Sequence, residues 1–188
     1  TVDGKHNIIT DTHVAPGNMH DSKPYPSRLD RQLTAFNLYP ESVGLDAGYK
    51  TAGICKGLEE RGIEGVIGYR RPNKKEGYFA KRQFVFDADN NQYTCPAGQL
   101  IPYNTTNRLG YREYHSDSEQ CRECPFLDQC TRSRNRIKVV TRHVWQDSVE
   151  RTDARRLTTK GKRIYQRRKE TVERSFADAK QLLLMHLC

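Results

Sequence analysis

The chain has 188 residues and a net charge of +9, with a sequence pI of about 9.3. This length allows one domain with its own core and room for an inserted subdomain, and the positive charge favours a polyanionic partner. No apolar run is long enough to span a membrane and no signal peptide is visible; we therefore expect a cytoplasmic protein, in which clustered cysteines bind metal more often than they form disulfides.

The first 69 residues have the alternating pattern of an α/β sheet with strands in mixed directions. We predict strands over residues 2–14, 42–46 and 64–69 and helices over 22–37 and 51–62. Ser22 is suited to cap the first helix, with Leu29, Leu33 and Phe36 as its apolar stripe. For the second helix, Thr51 is the predicted N-cap and Gly62 the predicted end.

Asp46 ends the predicted strand over residues 42–46 and is followed by Ala47 and Gly48. Ligands of open α/β sheets gather at the carboxyl ends of strands, so this carboxylate is well placed to face a site. Aspartate is also common as a turn or helix cap. Both interpretations of Asp46 stay open at this point.

Residues 70–150 are polar, rich in turns and weakly periodic, and we interpret them as an inserted subdomain with few core residues. Four of the chain's six cysteines lie here, at Cys95, Cys121, Cys124 and Cys130. Four thiolates suit a tetrahedral zinc site, and a metal cross-link would help such a segment to fold. An iron–sulfur cluster and a cluster without metal are the alternatives.

A long helix is predicted from about residue 155, within a segment, 151–188, that completes the core. Residues 151–180 carry 11 Lys and Arg against 4 Asp and Glu, a net charge of +7. Glu173 and Lys180 are seven residues apart on this helix, so they project from one face. A carboxylate in a basic helix is either half of a surface ion pair or a metal ligand beside phosphate-binding cations.

The sheet order, the Leu-Asp-Ala-Gly-Tyr segment at 45–49 and the Glu-x6-Lys helix resemble the catalytic domain of bacterial insertion-sequence DDE transposases. The resemblance implies an RNase H-like fold, in which a mixed sheet flanked by helices is interrupted by the cysteine-rich insertion. By this resemblance, Asp46 is the second catalytic Asp, Glu173 is the catalytic Glu, and both bind Mg²⁺. The first catalytic Asp and its strand have no counterpart here, and we expect them upstream of Thr1. The stretch from Gly17 to Ser22 looks like the segment after the family's third strand.

The resemblance also implies contacts with double-stranded DNA, both element ends and target, by Lys180, Lys169, Arg168 and Tyr165. Tyr165 and Arg168 keep the family's mutual spacing, but Glu173 lies five residues beyond Arg168 and Lys169 holds the expected Arg position. The activity implied for the complete enzyme is DNA cleavage and strand transfer with two Mg²⁺ ions, in a nucleoid-associated complex that is a homodimer. Without the first Asp, we expect this chain to be an incomplete copy. A DNA-binding remnant without cleavage and an iron–sulfur-bearing nuclease-like protein are the alternatives.

Overall fold

The computed structural model of the protein describes residues 1–72 and 75–185, of which 175, 176, 178–180 and 182–185 are described without their side chains. The chain divides into two compact units: residues 1–70 with 147–188, and residues 71–146. The first unit combines a parallel strand pair with helices, and the second is built on an antiparallel sheet of five strands. The mixed α/β class is therefore confirmed, with two separate sheets in place of one.

The elements follow each other along the chain with short connections. The helices are α1 Tyr25–Ala35, α2 Ala52–Glu60, α3 Ser118–Arg122, α4 Leu127–Cys130, α5 Gln146–Leu157 and α6 Thr159–Met185, with short 3-10 helices at Ala47–Tyr49 and Lys81–Gln83. The strands are β1 Ser42–Leu45, β2 Glu64–Ile67, β3 Val85–Asp87, β4 Gln92–Thr94, β5 Leu100–Thr106, β6 Tyr111–His115 and β7 Val139–His143.

In the first unit, β1 and β2 pair in parallel, with Leu45 opposite Ile67 at their carboxyl ends. Residues of α1, α2 and β2 and the turn before β2 form the core: Leu29, Ile54, Cys55, Leu58, Ile63 and Ile67. Because the strands are parallel, their last residues meet at one edge of the pair. That edge carries the residues that follow Leu45 and Ile67.

The caps of α2 are those predicted. The Thr51 side chain accepts a hydrogen bond from the Ile54 N–H at 3.2 Å, and Gly62 follows the helix with a φ of +68°, a left-handed conformation that glycine adopts without strain. The prediction for α1 is wrong at both ends. Its N-cap is Pro24 instead of Ser22, and Phe36, which follows the last helical turn, is 55% exposed.

The long helix predicted from about residue 155 is two helices that separate at Thr158. The Thr158 hydroxyl donates to the Arg155 carbonyl at 2.7 Å and accepts from the Gly161 N–H at 3.0 Å. A Cβ at Gly161 would overlap the Arg155 carbonyl oxygen, so this close turn needs a glycine. Within the described part of the chain, no helix combines the length and the apolar character that a membrane span requires.

The predicted strands over 2–14 reduce to a single bridge between Val2 and Ile9. The second unit, in contrast, has a larger core than its sequence suggested. Its five strands pair in the order β3 to β7 and bury Phe84, Tyr93, Ile101, Tyr114 and Val140. The prediction of few core residues is wrong, because strands of three to seven residues are too short for their alternation to show as a clear period.

An ion pair joins α2 to α5 in the first unit. The Arg151 guanidinium donates to both carboxylate oxygens of Glu59, at 2.9 and 2.7 Å, and the Ser148 hydroxyl donates at 2.7 Å. The Arg151 hydrogen bonds lower the pKa of Glu59 from its usual 4.5 to about 2, and the Ser148 hydroxyl adds to this effect. The charged form of Glu59 therefore stabilises the folded chain.

We predict that Glu59→Gln lowers the free energy of unfolding by about 1–2 kcal/mol at neutral pH, since it removes a charge-assisted pair. Because the folded pKa is depressed, this stabilisation is complete above the unfolded pKa and is lost as the pH falls toward the folded value of about 2. The difference in free energy of unfolding between the unchanged chain and Glu59→Gln, measured by urea unfolding, should thus shrink below about pH 4.5. Glu60→Gln is the control, because Glu60 is mostly exposed and lies 3.6 Å from its partner Lys56; an equal loss there would contradict the assignment.

Candidate functional site

An open cleft of about 370 Å³ lies at the carboxyl end of β1. It is lined by residues 17–21 and by Asp46, Gly48 and Tyr49. Two carboxylates, Asp21 and Asp46, therefore line the same cleft. Asp21 was not among the predicted site residues, although its segment was singled out by resemblance.

Asp46 is both a cap and a cleft residue. It is the N-cap of the 3-10 helix Ala47–Tyr49, and one of its carboxylate oxygens accepts the Ala47 N–H at 2.7 Å. Asp46 is exposed. The hydrogen bond from Ala47 fixes the orientation of the carboxylate while leaving the group open to solvent. The capping interpretation thus holds, and it is compatible with a role in the cleft.

The Tyr49 hydroxyl shows which charges surround the cleft. Burial raises its pKa, the carboxylates of Asp21 and Asp46 raise it further, and the Arg168 guanidinium lowers it. The two acids and one cation of α6 therefore act on the same group. This places the α6 residue Arg168, predicted as a DNA contact, within electrostatic range of the cleft.

Two glycines bring α6 close to the strand pair. A Cβ at Gly44 would lie 3.0 Å from the Arg168 Cβ, and a Cβ at Gly68 would lie 2.5 Å from the Tyr165 hydroxyl and 2.9 Å from the Ala47 nitrogen. Larger residues at these positions would push the helix away. The Tyr165 hydroxyl consequently lies beside the turn that carries Asp46.

Two cations of α6 lie beside one aromatic ring, that of Tyr165. The Arg168 guanidinium lies 5.7 Å and the Lys169 ammonium 5.6 Å from the centre of the Tyr165 ring. Both distances suit cation–π contacts. Lys169 is exposed and Arg168 is half-buried, so the two cations present different amounts of surface to a partner.

Tyr69 repeats this arrangement just after β2. Its ring is 53% exposed and has the Lys50 ammonium at 5.1 Å and the Arg156 guanidinium at 5.2 Å from its centre. Lys50 also donates to the Asp153 carboxylate at 3.0 Å. Cations and aromatic rings therefore lie at the same edge of the strand pair as Asp46.

Glu173 is exposed and lies on α6. It continues the row of Tyr165 and Lys169 at intervals of four residues, so all three share one helix face. Its position relative to Asp46 stays a prediction. Lys180 belongs to α6, but its side chain is outside the described residues.

The four predicted zinc ligands line one small cavity in the second unit: Cys95, Cys121, Cys124 and Cys130. All four are free thiols and half-buried. Burial raises the pKa of the Cys130 thiol; Lys138 lowers it, and the other three thiols raise it by smaller amounts. Among the described residues, no three His, Cys, Asp or Glu side chains are arranged to hold a metal ion, so neither the zinc nor the magnesium prediction is confirmed.

A family model described as "Transposase DDE domain" matches residues 94–187, half of the chain. The matched range contains Glu173 and the four cysteines of the cavity and leaves out Asp46. No curated protein and no solved structure matches the chain.

The close approach at Gly68 is testable by stability. Gly68→Ala should lower the free energy of unfolding by about 1–3 kcal/mol, because the new methyl group meets the Tyr165 hydroxyl and the Ala47 backbone. Tyr165→Phe, combined with Gly68→Ala, should recover part of this loss, since it removes one of the two clashes. Gly17→Ala is the control, with nothing within 4 Å of its Cβ. Unchanged stability of Gly68→Ala would show that Tyr165 lies elsewhere.

Proposed function

This chain belongs to the transposase DDE domain family, and we propose that it catalyses metal-dependent cleavage and strand transfer of DNA at the ends of a mobile element. The family implies a DNA substrate. The observation that carries the proposal is the cleft at the end of β1, which Asp21 and Asp46 both line within electrostatic range of the α6 cation Arg168. A carboxylate cleft next to positive charge suits a metal-bound phosphodiester.

The donor set of the cleft fits Mg²⁺. Mg²⁺ prefers oxygen ligands and keeps several waters, so it needs few carboxylates and an open site. We propose that Asp46 and Glu173 bind the metal, with Asp21 as a further acid of the cleft. Bound Mg²⁺ activates the attacking oxygen and stabilises the leaving oxygen in phosphoryl transfer.

The remaining residues position the DNA. The Ala47 N–H holds the Asp46 carboxylate in one orientation. Arg168 and Lys169 lie beside the Tyr165 ring, where they can neutralise phosphates next to the acids. Phosphate contacts of this kind fix the register of a duplex without reading its sequence.

We extend the proposal to the architecture. Residues 1–69 and 151–188 form an RNase H-like core, and residues 70–150 are a cysteine-bearing insertion. The parallel pair β1 and β2 with α6 packed against it supports this assignment. The homodimer of the active complex and its association with the nucleoid remain predictions from resemblance.

Iron-mediated backbone cleavage tests the metal site without a DNA substrate. Fe²⁺ bound in place of Mg²⁺ generates radicals that cut nearby backbone, and we expect cuts near residues 17–21, 46–49 and 173. Added Mg²⁺ should suppress these cuts by competition. Asp46→Asn should abolish them, because it removes an oxygen anion that binds the metal, while Asp30→Asn should not, because Asp30 instead pairs with Arg61.

DNA cleavage distinguishes this proposal from binding alone. In supercoiled plasmid nicking with Mg²⁺, Asp46→Asn, Asp21→Asn and Glu173→Gln should each lose cleavage and retain duplex binding. A chain that binds duplex DNA and never cuts it would favour the second candidate, a DNA-binding protein without catalysis. Cleavage that survives Asp46→Asn would remove this residue from the mechanism.

Binding to duplex DNA should depend steeply on salt, since each neutralised phosphate releases counterions. Lys169→Ala should weaken binding and lower the slope of log K against log salt concentration by about 1. Lys160→Gln is the matched control on the same helix, because Lys160 already pairs with Glu41 and, at 2.8 Å, with Glu64. Equal effects of the two changes would show that α6 does not present Lys169 to phosphate.

A further inference from the structure

The cavity in the second unit is built by cysteines from separate segments. Cys95 follows β4, Cys121 is part of α3, Cys124 follows that helix, and Cys130 ends α4. Between Cys95 and Cys130 the chain passes through β5 and β6, so the sheet itself brings these thiols together. Four thiols from three stretches of chain around one small cavity form a side-chain cluster that the proposed DNA chemistry does not use.

Tight turns hold the thiols at the cavity. The Gly98 N–H donates to the Cys95 carbonyl at 2.9 Å, and the Cys95 N–H donates to the Gln99 carbonyl at 2.9 Å. Gly98 has a φ of +79°, which favours glycine at this position. The Cys124 N–H donates to the Cys121 carbonyl at 3.2 Å. Each turn presents its cysteine from a fixed backbone.

Polar groups around the cavity suit a negatively charged cluster. The Lys138 ammonium lines the cavity and donates to the Cys130 carbonyl at 2.9 Å. The buried Ser116 hydroxyl accepts two hydrogen bonds, from the Cys121 thiol at 3.3 Å and from the Lys138 backbone N–H at 2.8 Å. If Cys121 loses its proton, this hydroxyl can rotate and donate to the sulfur instead. Hydrogen bonds from groups around a metal site orient its ligands and tune the metal.

The helices that carry Cys121 and Cys130 have little core of their own. Helices α3 and α4 have five and four residues and no fully buried residue. The neighbouring sheet buries a complete aromatic core. The sheet therefore has its own source of stability, and the segment from Ser116 to Thr131 needs another one.

We propose that Cys95, Cys121, Cys124 and Cys130 bind one Zn²⁺ ion as thiolates and that this ion fixes α3 and α4 to the sheet. Four protein sulfurs fill a tetrahedral shell and leave no position for water, so the site is structural and takes no part in catalysis. The described thiols are not yet arranged to hold a metal ion, so zinc binding, which releases the thiol protons, has to bring the four sulfurs to about 2.3 Å from the metal. The Lys138 ammonium then offsets part of the net negative charge of the four thiolates and the ion.

The metal content of the purified full chain tests the proposal. Elemental analysis should give about one zinc per chain, and loading with Co²⁺ should give the visible bands of tetrahedral thiolate coordination. Cys124→Ser should lose more than the roughly 10–100-fold in zinc affinity that is typical of a change beside the ligands. Cys55→Ala, in the first unit, is the control and should keep the zinc.

Hydrogen exchange gives a second readout that does not require the cysteine variants to fold. Removing zinc with a chelator should expose the amides of residues 116–131 and leave those of β5 and β6 protected. Ser116→Ala should keep the fold and weaken zinc binding by about tenfold. Disulfides among the four cysteines, iron with inorganic sulfide, or full protection without any metal would each overturn the proposal.

Discussion

The position of α6 against the strand pair is the constraint on which the candidate site depends. It requires the absence of side chains at Gly44 and Gly68, where an added Cβ would meet Arg168 and Tyr165. It also requires the sharp separation of α5 from α6 at Thr158, which only a glycine at 161 permits. Without these close approaches, a polar and strongly basic helix would not pack closely on the strand pair. Its cations would then not reach the edge that carries Asp46.

The distribution of charge explains why net charge alone is a poor guide to the DNA surface. Several acids of the first unit already engage cations: Glu59 binds Arg151, Asp153 binds Lys50, and Glu41 and Glu64 bind Lys160. A paired cation has to give up its carboxylate before it can bind phosphate. Lys169 instead lies beside the Tyr165 ring, which leaves its charge available. Fewer cations of residues 151–180 are therefore available to bind phosphate than their net charge of +7 suggests.

Local signals in the sequence were sufficient where one short-range interaction decides the structure. Thr51 and Gly62 delimit α2, and the strand-end position of Asp46 places it in the cleft. Features that depend on distant residues were missed. Asp21 reaches the cleft only because its loop folds back beside the turn after β1, and no local pattern marks that contact. The break at Thr158 was missed as well, because its decisive contact is with a backbone carbonyl that any residue would offer.

The two candidate metal sites use opposite donor chemistry and belong to different units of the chain. The cleft offers carboxylate oxygens, which suit Mg²⁺, and the second unit offers thiols, which suit zinc. Of the described cysteines, Cys55 alone belongs to the first unit, where it is buried at 1% exposure. Burial raises the pKa of this thiol and of Cys130 alike, so the difference between the units is the shared cavity that Cys95, Cys121, Cys124 and Cys130 line. In the proposed arrangement, zinc binds the thiols of the second unit and Mg²⁺ binds the acids of the cleft.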